Sequence, residues 1–111
     1  MTLKNEQHPI LQGVKPWNYK EEIFTHFTFA EGTVPLVVAK PATAGFEPRD
    51  VAWAFQRKNG GRGFGFGGLD FHGNLLLEDN RRLVLNGLVW AARMEVPAGG
   101  VQCTVPDDIM K

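Results

Sequence analysis

VAWAFQRKNGGRGFGFGGL, residues 51–69, is the stretch of sequence that decides the fold. Residues 51–57 and 62–69 have the composition of two strands, and Lys58-Asn59-Gly60-Gly61 lies between them. Asn-Gly supplies the positive φ angles of a tight turn, so we predict a β-hairpin. Glycine recurs through the second arm, although each one weakens a strand by roughly 0.5–1 kcal/mol. These glycines therefore predict either close packing against the strand or backbone exposed to a ligand.

Further elements are predicted on both sides of the hairpin. Residues 19–29 alternate in character and predict a strand, and the apolar run 34–39 predicts another. Two prolines and a glycine make residues 41–50 a loop. A long helix is expected over 79–93, and residues 102–111 are expected to form a C-terminal tail. The predicted order is four strands followed by one helix.

The helix has a predicted cap and a predicted buried stripe. Asp79 is a plausible N-cap, and its negative charge suits that end of a helix. Helical spacing predicts a core-facing stripe made of Leu85, Leu88, Val89 and Ala92. The side facing water is predicted to carry Arg81, Arg82, Asn86 and Arg93.

Length, charge and cysteine content narrow the class of protein. The sequence has 111 residues, which supports at most one domain, and 12 basic side chains balance 12 acidic ones. A net charge of zero argues against a protein that coats phosphate backbones. The single cysteine, Cys103, can form no intrachain disulfide and has no His or Asp at the spacing of a catalytic thiol. No apolar run approaches the ~20 residues that span a bilayer, so no membrane is expected among the partners.

Residues 62–68 match parts of two glycine-rich motifs. The pattern G-x-G-x-x-G is present, but the dinucleotide-binding fingerprint places those glycines between a strand and a helix, and here they lie within a strand. We therefore expect no such cofactor. Arg62-Gly63-Phe64-Gly65-Phe66 matches the start of an RNA-recognition strand, whose aromatic rings stack on bases. The aliphatic and final aromatic positions of that motif are absent, so RNA binding stays a minor alternative.

Asp70 and His72 form the candidate polar centre. They lie two residues apart on an extended segment just after the second hairpin arm. A carboxylate and an imidazole so placed can perform acid–base catalysis or orient a substrate hydroxyl, whereas a surface pair in a turn is the structural alternative. Asn74, His26 and Trp53 are predicted as substrate-binding neighbours. No paired histidine spacing supports a metal site.

A set of short motifs is spread over roughly residues 8–101. The set consists of His8-Pro9-Ile10, Gly13, Val51-Ala52-Trp53, Gly60 to Phe66, Phe71-His72, the helix residues Arg81 to Ala92, and Glu95-Val96-Pro97. Together these motifs resemble the ThuA-like (trehalose utilisation) family, and the resemblance is specific only in combination.

The resemblance implies the C-terminal part of a flavodoxin-like, class I glutamine amidotransferase-like α/β domain, with residues 1–101 as the partial domain. Its expected partner is then the missing N-terminal half-domain or a second copy. The amidotransferase triad is not evident, because His72 is followed by Gly73-Asn74 rather than by an acid. The implied role is utilisation of trehalose and related disaccharides or keto-sugars, with a small sugar as ligand. A non-enzymatic sugar-binding or interaction module is the alternative.

Overall fold

The computed structural model describes residues 1–109, which form a four-stranded sheet and one α-helix. The strands lie side by side in the order in which they follow one another along the chain, and every neighbouring pair is antiparallel. Two short 3₁₀ helices, Pro9–Leu11 and His72–Leu76, precede the second strand and the α-helix respectively. The main elements are β1 (Thr2–Leu3), β2 (Val34–Ala39), β3 (Arg49–Gln56), β4 (Arg62–Phe66) and α1 (Glu78–Ala91).

The predicted hairpin is present as β3 and β4. Trp53 pairs with Gly65 and Ala54 pairs with Phe64 in an unbroken antiparallel register. In the connecting turn, Gly60 takes a φ of 85°, which favours glycine. Asn59 contributes through its side chain, whose Oδ1 accepts a hydrogen bond from the Gly61 amide at 2.9 Å.

The combination of strands and one helix is as predicted, but the sheet differs from the flavodoxin-like expectation. A flavodoxin-like sheet is parallel, whereas all the strand pairs among residues 1–109 are antiparallel. The connections explain this difference. Parallel neighbours need a crossover of about a dozen residues or more, usually helical, whereas β3 and β4 are joined by residues 57–61 alone.

The strand predicted over residues 19–29 is wrong. This segment has no regular structure, and the first strand of the sheet is instead β1, in which Thr2 pairs with Val38. The alternation of aromatic and polar residues in 19–29 has a different cause. The segment lies against the sheet, so Phe27 and Phe29 pack against Trp53.

The helix begins and ends close to its predicted bounds, but its cap was predicted wrongly. Leu77 occupies the N-cap position and makes no side-chain capping bond. The Asp79 carboxylate accepts a hydrogen bond from the Lys15 amide at 2.8 Å instead. Asp79 therefore fastens the N-terminal segment to the first turn of α1.

The buried face of α1 is also not the predicted one. Leu83, Asn86 and Trp90 are buried, while Leu88, predicted for the core, is 60% exposed. Asn86 is held inside because its amide donates to the carbonyls of Ile10 and Gln12 at 2.8 and 2.9 Å. Its Oδ1 also accepts from the Val101 amide at 2.8 Å. These bonds fix which side of α1 faces the sheet.

The core is built from α1, the Pro9–Leu11 turn, Val96 and the buried residues of β2 and β3. The fully buried side chains there are mostly aliphatic, with Asn80 and Asn86 as the polar exceptions. The largest apolar ones are Ile10, Leu36, Val37, Val51 and Leu83.

Candidate functional site

The glycines of β4 and the residues after it make room for aromatic rings. A side chain at Gly65 would overlap the ring of Trp53, and one at Gly68 would overlap the Tyr19 hydroxyl. A Cβ at Gly67 would lie 3.2 Å from the Phe27 ring. Of the two explanations offered by the sequence, close packing is the one that these contacts support.

Trp53, predicted as a substrate-binding residue, belongs to an aromatic cluster. Its ring centroid lies 5.2 Å from that of Phe27 and 5.1 Å from that of Phe29, in edge-to-face arrangements. Phe24 packs on Phe27 from the outside and is 69% exposed. Trp53 is half-buried: Phe27 and Phe29 cover part of its ring, and the rest is exposed to solvent.

Asn74 holds two segments of chain together. Its Nδ2 donates to the Lys20 carbonyl at 2.8 Å and to the Glu21 carboxylate at 2.9 Å. The same carboxylate accepts from the Phe71 amide at 3.2 Å. Glu21 was not predicted as a site residue. It links the loop of residues 70–74 to residues 19–29, the irregular segment that lies across the sheet and is called the crossing segment below.

Asp70 and His72 are exposed on either side of Phe71. Within residues 1–109, neither side chain makes a hydrogen bond to another protein group. Both can therefore turn toward a ligand. His26 is exposed on the crossing segment, where its Nδ1 lies 3.1 Å from the Thr25 hydroxyl. The structure thus groups Asp70, His72 and Asn74 in one loop, whereas Trp53 belongs to the aromatic cluster and His26 is exposed beside Thr25.

A cleft of about 860 Å³ lies between the crossing segment and the loop that follows β2. The rings of Tyr19 and Phe46 line it, together with the charged side chains of Lys40, Glu47 and Arg49. Arg49 pairs with Ala39 across the sheet, so Lys40 and Arg49 emerge at the same end of β2 and β3. Sequence reasoning assigned residues 41–50 to a loop but gave no signal that two distant loops enclose a cleft.

Glu21 also lines this cleft, so one side chain connects the cleft wall to the Asp70–His72 loop. Tyr19, at the same wall, donates its hydroxyl to the Gly68 carbonyl at 3.0 Å. Burial and the nearby Glu21 carboxylate raise the pKa of Tyr19 well above its usual range. Tyr19 is therefore a neutral hydrogen-bond donor in this wall, not a base.

The positions of the two phenylalanine rings in β4 argue against the RNA-binding alternative. Phe64 lies on the face of the sheet that α1 covers, and its ring rests against Gly87. Phe66 lies on the same face and packs against the core. Base stacking needs aromatic rings on an open sheet face, and these two rings are not on one.

Comparisons with protein-family models, with curated proteins and with solved structures give no match. Across residues 1–109, no three His, Cys, Asp or Glu side chains lie close enough to hold a metal ion. In the same part of the chain, no helix has both the length and the apolar character needed to cross a membrane.

Proposed function

We propose that this chain is a ThuA-like domain segment that binds a sugar derivative, of the class of trehalose-related disaccharides and keto-sugars. The cleft of about 860 Å³ is the observation that carries the proposal. Its volume falls in the range of small-molecule sites, roughly 300–1,000 Å³. The sequence resemblance supports the choice of sugar over other small molecules.

The cleft lining has the chemistry that sugar recognition needs. Phe46 and Tyr19 offer apolar ring surface to the carbon–hydrogen face of a pyranose. Lys40 and Arg49 donate hydrogen bonds, and Glu47 accepts them, so both roles of a sugar hydroxyl can be met. Polar side chains placed beside apolar ring surface can fix the orientation of a bound ligand.

The Asp70–His72 loop is the proposed place of acid–base chemistry. The imidazole of His72 has the chemistry of a general acid or base, and the Asp70 carboxylate can accept a hydrogen bond from a sugar hydroxyl. The bonds from Phe71 and Asn74 to Glu21 hold this loop beside the cleft wall. If the chain only binds sugar, these two residues contribute hydrogen bonds and no turnover.

The flavodoxin-like relationship is kept as part of this proposal. The antiparallel sheet of residues 1–109 would form one portion of a larger α/β domain, and the parallel strands would belong to a separate segment. Support for this comes from the sequence resemblance alone, since the sheet itself is antiparallel.

Binding is tested by titrating the purified chain with trehalose, other disaccharides and keto-sugars, followed by calorimetry and amide chemical shifts. We expect shifts at residues 39–49 and 18–25. Phe46→Ala and Lys40→Gln should weaken affinity by about tenfold, because each removes one ligand contact.

Matched controls lie outside the cleft. Phe24→Ala removes another exposed ring, and Lys58→Gln removes a lysine in the hairpin turn. Neither should change affinity. If no sugar of the panel shifts the cleft amides at millimolar concentration, the proposal fails.

Catalysis is tested separately with Asp70→Asn and His72→Gln, which keep side chains of similar size but remove the carboxylate and the imidazole. Loss of turnover with retained binding identifies the pair as catalytic. Turnover equal to that of the unmodified chain would place the chemistry elsewhere, and binding without any turnover would favour the sugar-binding module.

A further inference from the structure

The outer edge of β4 carries backbone groups without partners. β4 is the last strand of the sheet, so only β3 pairs with it. The Gly67 amide donates to the Val51 carbonyl at 2.8 Å, which identifies residues 51 and 67 as a hydrogen-bonded pair. In an antiparallel ladder such pairs alternate, so Gly63 and Gly65 point their amides toward β3.

The amides and carbonyls of Arg62, Phe64 and Phe66 consequently point away from the sheet. Within residues 1–109, none of them has a backbone hydrogen-bond partner beyond the strand. Exposed edges are usually blunted by proline, by charged side chains, by bulges or by being very short. The opposite edge, β1, has only two residues, whereas β4 has five and its register with β3 is unbroken.

We propose that β4 is an association edge, at which two copies of this chain pair antiparallel through Phe64. With the two-fold axis at Phe64, each Phe64 pairs with its counterpart, and each Arg62 pairs with Phe66 of the other copy. Three outward amides in each copy then form six hydrogen bonds between the copies.

Charge and side-chain chemistry favour a second copy as the occupant. The guanidinium of Arg62 is turned onto α1 of its own chain, where its Cζ lies 4.8 Å from the centroid of the Trp90 ring and its Nη1 donates to the Trp90 carbonyl at 3.2 Å. The charge of Arg62 therefore does not stand in the way of a second copy at this edge. The net charge of the chain is zero, so two copies do not repel each other at long range.

The first test compares Arg62→Pro with Arg62→Ala in analytical ultracentrifugation. Both variants lose the guanidinium group, but only proline removes the outward amide, and an edge position tolerates that loss. The unmodified chain should reach twice its mass of 12.3 kDa as concentration rises. Arg62→Pro should dimerise roughly tenfold to a hundredfold more weakly than Arg62→Ala, since each dimer loses two hydrogen bonds. Equal dimerisation of the two variants would overturn the proposal.

A second test adds a charge instead of removing a bond. Gly63→Lys places an ammonium group on the edge strand, where a Cβ would meet nothing closer than 3.8 Å. Gly73→Lys makes the same change in a loop where a Cβ has no neighbour within 4 Å. The first should weaken dimerisation about tenfold, and the second should leave it unchanged.

Hydrogen exchange locates the contact. The amides of Phe64 and Phe66 should exchange more slowly as concentration rises, while that of Leu88, bonded within α1, should not follow dimerisation. A chain that remains monomeric at every concentration, or a dimer in which the Phe64 amide stays fast, would overturn the proposal. If the chain stays monomeric, the β4 edge would be available for pairing with a strand of another polypeptide instead of a second copy.

Discussion

The two faces of the sheet are covered in different ways. On one face lies α1, whose backbone is bonded internally and whose position is fixed by Asn86. On the other face lies the crossing segment, residues 19–29, which has no regular structure and packs Phe27 and Phe29 against Trp53. Both faces use a glycine to admit a ring: Gly87 receives Phe64 on the helix face, and Gly65 receives Trp53 on the other.

This difference separates a rigid face from an adaptable one. On the helix face, Phe64 and Phe66 are half-buried and Phe64 packs against α1, a regular element whose turns are bonded to one another. Rings on the aromatic face are partly exposed, and Phe29 is 40% exposed. The proposed cleft and the Asp70–His72 loop both adjoin the adaptable side, where a ligand can be accommodated by small movements.

The largest effect is expected at Asn86. Asn86→Leu leaves the carbonyls of Ile10 and Gln12 and the amide of Val101 without their present partner. Because buried groups left unpaired each cost about 1–3 kcal/mol, the free energy of unfolding should fall by about 3 kcal/mol or more. Urea denaturation measures it.

Asn18→Leu is the control for that change. Asn18 is exposed and its side chain makes no hydrogen bond within residues 1–109, so its effect should stay below about 0.5 kcal/mol. A loss of under about 1 kcal/mol for Asn86→Leu would show that the helix is not held by this amide.

The next largest loss of stability is expected at Gly87, on the rigid face. Gly87→Ala drives a methyl group into the Phe64 ring, with α1 and β4 both unable to withdraw. Overpacking of this kind costs roughly 1–3 kcal/mol, and we expect about 2 kcal/mol in urea denaturation. Adding Phe64→Leu should recover part of the loss. Gly73→Ala, in open space, should be close to neutral. No recovery in the double variant would place the strain elsewhere.

A glycine-to-alanine substitution on the adaptable face should lower stability less than Gly87→Ala does. Gly65→Ala pushes a methyl group into the Trp53 ring, which is half-buried beneath an irregular segment and can tilt outward. We expect a loss of about 1 kcal/mol, at the lower end of overpacking effects. Urea denaturation of both variants under one condition compares them. A loss at Gly65 equal to that at Gly87 would remove the distinction between the two faces.

The sequence predicted what depends on neighbours along the chain. Asn59-Gly60 marks the turn of the hairpin, and the apolar run at Val34–Ala39 is found as β2. The bounds of α1 were close to the observed Glu78–Ala91 for the same reason. Each of these features depends on local periodicity and turn chemistry, which a single sequence displays.

Features that depend on distant partners were missed. The helix carries apolar residues on most of its circumference, so its periodicity could not identify the buried side, which is decided by Asn86 and the Ile10 carbonyl 76 positions away. The bond between Glu21 and the Phe71 amide spans 50 positions and gave no sequence signal. Asp70 and His72 could be proposed because they lie only two residues apart in sequence, whereas the cleft is formed by two segments that are distant in sequence.

The smallest effect concerns Tyr19, which joins the crossing segment to the end of the glycine-rich arm. Tyr19→Phe loses the hydrogen bond to the Gly68 carbonyl and should lower the free energy of unfolding by about 1 kcal/mol.

The raised pKa of Tyr19 also makes the stability of the fold depend on pH. The folded chain holds this proton more tightly than the unfolded chain, so the contribution is complete below the unfolded pKa of about 10 and is lost as pH rises above it. Tyr19 is the only tyrosine, so its ultraviolet difference spectrum reports one group. The native chain should ionise at higher pH than the chain in urea, and Tyr19→Phe should abolish both the signal and this alkaline loss of stability. Coincident titrations of the native and unfolded chains would show that the aromatic face leaves Tyr19 open to water.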